Sequence, residues 1–170
     1  MEQLFQQTAL TEYHQSSHDL SNKKDSSSAL KKSHLRYNNI IAKTIESSPI
    51  KPVCASGCAY CCYYKVEVRA PEVFLIKEHL QNNFEAKAIQ SILDEAEKNA
   101  HLIRSITPEQ HLRTNIKCPF LKENSCSIYP VRPFKCRNFH ATELSGCEQS
   151  FNDPSNLNIL VSSLKCDNIA

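Results

Sequence analysis

Apolar residues recur at helical spacing along much of the chain. Leu30, His34, Tyr37, Ile41 and Ile45 fall three or four residues apart, which predicts a helix over 26–47 capped by Asp25 or a neighbouring serine. Pro49 and Pro52 close it, so residues 26–49 form an N-terminal helical segment. Ala70-Pro71-Glu72 opens a second helix, with Pro71 in its first turn, Glu72 at the positive end of the dipole, and Val73, Ile76, Leu80 and Phe84 as its stripe. A third helix is predicted from Glu85 to Ile106 with Ile89, Ile92, Leu93, Ala96 and Ile103 inward, and Thr107 with Gln110 fits a capping box for a short fourth. Asp153-Pro154 predicts a last helix with Leu157, Leu160, Val161 and Leu164 on one side.

Other stretches break that period. Tyr64, Val66 and Val68 alternate with Lys65, Glu67 and Arg69, the pattern of a short half-buried strand. Residues 118–147 carry turn signals in place of long periodic runs. Residues 1–25 are rich in Gln, Ser and His and read as a flexible polar tail. The fold class expected is mostly α with short β elements. Residues 50–170 would form one small cysteine-rich domain stabilised by metal.

Composition narrows the function. At 170 residues, 41% of them hydrophobic, with a mean hydropathy of −0.44, the chain makes one soluble domain with a modest core. No apolar run reaches the roughly 18–20 residues that cross a bilayer. The start lacks a basic stretch followed by an apolar one, so the expected location is the cytoplasm. Two glycines in the whole chain exclude a phosphate-cradling P-loop and a GxGxxG turn, each of which needs several in one loop. Residues 54–170 carry thirteen basic and thirteen acidic side chains, a balance that argues against nucleic acid as a partner.

The nine cysteines change the picture most. None precedes residue 54, and eight fall in two groups. The first is Cys54, Cys58, Cys61 and Cys62; the second is Cys118, Cys126, Cys136 and Cys147. In a reducing compartment such clusters bind metal more often than they form disulfides. Thiolates two or three residues apart can turn back onto one ion, and Gly57 inside that turn suits a positive φ. Thiolate-only sites suit zinc, iron or an iron–sulfur cluster. Cys61 and Cys62, being adjacent, point in different directions and suit two neighbouring sites or a dinuclear one. Arg132, Lys135 and Arg137 lie beside the second group, where they can offset thiolate charge or stay solvated. Cys166 stands apart as an ordinary thiol. Tyr129 is expected in the core beside Ile128 and Phe134. His140 is expected to be exposed or capping, and His79, His101 and His111 to lie on the surface. The spacing Cys54-x3-Cys58-x2-Cys61 matches a radical S-adenosylmethionine loop, but the chain lacks the barrel length and glycines that chemistry needs.

Cys54-x3-Cys58-x2-Cys61-Cys62, Cys118-Pro-Phe-Leu and Cys126-Ser-Ile-Tyr-Pro-Val-Arg-Pro-Phe-Lys-Cys136-Arg together resemble the YkgJ-type cysteine-cluster family over residues 50–150. The resemblance implies zinc or iron chelation and says little about a reaction or a protein partner. Three readings stay open: a thiolate metal protein, an iron–sulfur redox protein or accessory factor in protein modification, and a zinc-stabilised protein or nucleic-acid interaction module.

Overall fold

A computed structural model describes residues 2–23 and 25–164. Helix α1 (Glu2–Lys23) lies against α2 (Ser26–Ser47). Where a polar tail was expected, the chain is helical, because α1 has ionic partners. Arg36 of α2 donates to both oxygens of Glu12, at 2.7 and 2.9 Å, and to Asp19 at 2.9 Å, while Lys32 reaches Asp19 at 2.6 Å. Periodicity reads only apolar stripes and misses a helix docked by charge. Asp25 caps α2 as expected, accepting from the amides of Ser27 and Ser28.

Helix α3 (Ala70–Asn83) packs on α2 and on α4 (Ala86–Ser105); the short α5 (Pro108–Leu112) follows with its Thr107–Gln110 capping box in place. On α3 Ile76 and Leu80 are buried and Phe84 packs against them as expected, while Leu75 takes the inward place expected of Val73, which is 52% exposed. On α4 only Ile92 is fully buried; Leu93 and Ile103 face outward.

Two turns of 3₁₀ helix, Tyr60–Tyr63 and Tyr129–Val131, flank a hairpin of β1 (Leu121–Lys122) and β2 (Ser125–Cys126). Glu123 and Asn124 both take positive φ, the backbone that a two-residue hairpin needs. Residues 64–69 form no strand, since no neighbouring segment pairs with them, and Val66 and Val68 stay exposed. Helices α6 (Phe134–Asn138) and α7 (Leu144–Asn152) complete the described elements. The expected helix after Asp153 is absent: α7 ends there, the chain makes two successive turns over 153–159, and it then runs extended to an isolated bridge between Ala141 and Ser163. Leu157 and Leu160 are exposed as a result. Gly146 lets this return cross close over α7, for a Cβ there would sit 2.8 Å from the Leu160 carbonyl oxygen.

The core joins Leu75, Ile76 and Leu80 to Ile92, Ile128 and Val131. Beside it Tyr37 and Ile41 of α2 pack with Phe134, whose ring meets His34 and Tyr37 edge-on at 4.6 and 5.1 Å. The cysteine segment is thus held on a helical platform. No helix among the described residues is long and apolar enough to cross a membrane.

Candidate metal centre

Local backbone geometry turns the first cysteine group toward the second. Gly57 takes φ +89° and the Cys58 amide closes on the Ala55 carbonyl at 3.1 Å. Cys61 and Cys62 then sit on the first 3₁₀ turn. The Cys62 carbonyl accepts from the Cys118 amide at 2.8 Å, tying the groups together across 55 residues of intervening chain. From Cys118 the hairpin doubles back: the Leu121 amide bonds the Cys118 carbonyl at 3.0 Å, and Leu121 pairs with Cys126.

Cys136 is placed by a buried carboxylate. Glu72 accepts from the Arg69 amide at 2.9 Å and from the Phe134 amide at 2.7 Å, so the same side chain closes the first turn of α3 and fixes the start of α6. Arg137 locks the other side. Buried at 3% exposure, it donates to the Arg132 carbonyl and to Asn38 at 2.9 Å each, and also to the Pro130 carbonyl. Cys147 is buried on α7, which packs against the first 3₁₀ turn. Phe151 of α7 rests against Tyr60 and Tyr63 at 5.5 and 4.9 Å. Cys54 lies with its sulfur 4.0 Å from the Ala141 carbonyl oxygen.

The eight described cysteines are free of disulfides, and their thiols feel one another. The Cys62 thiol donates to Cys61, which lowers the pKa of Cys61 and raises that of Cys62. Burial pushes Cys136 up to about 12, reinforced by charge at Cys118, Cys61 and Cys126. Burial pushes Cys147 to about 11, reinforced by Cys54, Cys58 and Cys61. Such crowding disfavours free thiolates and favours a cation that takes up their charge.

The three neighbouring cations divide their work. Arg132 lies with its guanidinium 3.9 Å over the Tyr129 ring, and its charge favours ionisation of Cys54, Cys61, Cys126 and Cys136. Arg137 is committed to the backbone and Lys135 is exposed. Tyr129, expected in the core, is 56% exposed because it forms the platform for Arg132, whereas Ile128 is buried as expected. His140, expected to be exposed or capping, is half-buried; its Nε2 lies buried without a partner and its carbonyl accepts from Leu164. Sequence spacing placed Glu72 at the start of a helix but missed its bond to the Phe134 amide, and it missed the locking role of Arg137. Their only signal was an acidic residue in the first turn of α3 and the arginine after Cys136.

Among the described residues, no three His, Cys, Asp or Glu side chains already stand as a metal-holding group. The donor set itself fits a thiophilic metal: free sulfurs, crowded, with one guanidinium near to balance their charge. Cys166 lies outside the described residues.

Fold and site define a class, a small helical domain that gathers cysteine thiols from two remote stretches. Residues 53–166 match the CxxCxxCC family, described as a "putative zinc- or iron-chelating domain". The chain belongs to that family, and the family's description supports binding of zinc or iron. No curated protein and no solved structure matches the chain.

Proposed function

We propose that Cys54, Cys58, Cys61, Cys62, Cys118, Cys126, Cys136 and Cys147 hold zinc or iron, in a centre that stabilises the fold in a reducing, cytoplasmic setting. The observation that carries this reading is the hydrogen bond from the Cys118 amide to the Cys62 carbonyl, 2.8 Å long. It sets Cys62 of the first group beside Cys118 of the second, although 55 residues lie between them. A domain with a small core gains stability when such groups share an ion. Zinc held by four thiolates keeps no open position, which favours a structural role over catalysis. Arg132 supplies the balancing charge.

The test is elemental analysis of the full chain purified without oxygen. Cys58→Ser and Cys126→Ser should each lower metal content and melting temperature together. Unchanged metal stoichiometry in both variants would overturn the assignment. A colourless zinc protein supports the structural reading; a brown protein with iron and acid-labile sulfide assigns the same thiols to an iron–sulfur centre.

A further inference from the structure

We propose that the eight thiols form two neighbouring four-sulfur centres, one of Cys54, Cys58, Cys61 and Cys147, the other of Cys62, Cys118, Cys126 and Cys136. This rests on the metal-thiolate reading above and adds the number of centres and the ligands of each.

The division starts at the Cys61–Cys62 step. Both residues belong to the 3₁₀ turn Tyr60–Tyr63, where successive side chains diverge by about 120°. Two adjacent thiolates on such a turn serve two centres more easily than one. The backbone then assigns Cys62. Its carbonyl is bonded to the Cys118 amide, and the hairpin that begins at Cys118 brings Cys126 back opposite Leu121. Cys136 joins this side through α6, whose first amide is held by Glu72.

The opposite side is built by the chain around Ala141. Its carbonyl accepts from the Val53 amide at 2.8 Å and receives the Cys54 sulfur. Three residues later α7 begins and carries Cys147 inward, with Phe151 seated on Tyr60 and Tyr63. Cys58 and Cys61 follow Cys54 in the same tight loop.

Metal and acid-labile sulfide are counted per full chain purified without oxygen, with X-ray absorption at the edge of the metal found. The wild type should hold two centres, either two zinc ions or two iron–sulfur clusters, with sulfur as the protein ligand. Cys118→Ser combined with Cys136→Ser, both in one set, should leave one centre. Cys136→Ser combined with Cys147→Ser, one from each set, should leave none. A single centre in the wild type overturns the proposal even if the variants fail to fold. The reverse pattern among the variants overturns it too, and so does a nitrogen neighbour, which would put His140 in place of a thiolate. A wild type without metal removes the thiolate reading itself, a result distinct from a single centre.

Discussion

Glu72 shows how one side chain can set two elements. Its position just after Ala70-Pro71 suggests a favourable charge at a helix start, and its neighbours in space add a second duty. One carboxylate oxygen satisfies the Arg69 amide and the other the Phe134 amide, with the residue 4% exposed. Removing it leaves the Phe134 amide without that acceptor. Glu72→Ala should therefore cost about 2–3 kcal/mol, the scale of hydrogen bonds to a charged group. Urea unfolding should show a lower midpoint with an unchanged slope. Glu72→Gln, which keeps one acceptor oxygen, should lose less.

Among the described side chains of α1 none of the apolar ones is buried, and Asp19 is. Leu10, Tyr13 and Leu20 on it are exposed, and its contact with α2 runs through Arg36 and Lys32 to Glu12 and Asp19. Charge pairs near a surface weaken as salt shortens the Debye length to about 3 Å at 1 M. Hydrogen exchange of the α1 amides should quicken from low salt to about 1 M, while exchange in α3 should hold steady. In Arg36→Ala the exchange of α1 should be fast at both salt levels. Equal protection of α1 at low and high salt in the wild type would show that something other than these pairs holds it. The segment 153–164 teaches the complementary lesson. Its leucines carry a helical period, yet residues 153–159 make two successive turns, and the bridge from Ala141 to Ser163 and the bond from the Leu164 amide to the His140 carbonyl hold the end of the segment extended. A long-range backbone pairing outweighs local propensity there.

Across the whole molecule the packing of α2 against α6 brings a pH dependence. His34 is 3% exposed beside Phe134, and burial, followed by the charge of Arg137, lowers its pKa from 6.5 to about 4. The unfolded chain takes up this proton as pH falls through 6.5, and the folded chain only near 4. Stability from this residue is thus complete above pH 6.5 and is lost on the way down to pH 4, by up to about 3 kcal/mol. Urea midpoints measured between pH 7.5 and 4 should fall less steeply in His34→Gln than in the wild type. Parallel curves would show that His34 does not titrate differently on folding.

The sequence by itself determined the helices whose stripes and caps agree, α2 through α5, and the two clusters of cysteines. Spacing and residue type are local properties, and both the Asp25 cap and the positive φ of Gly57 were legible for that reason. It also carried the family signature. Only the tertiary structure decided that α1 is a docked helix, that Arg137 is a buried lock while Arg132 faces the thiols, and that Cys62 lies with Cys118. The docking of α1, the bond from Arg137 to Asn38 and the meeting of Cys62 with Cys118 depend on partners 13 to 99 residues away in the chain, and no local pattern encodes which distant group a side chain will meet.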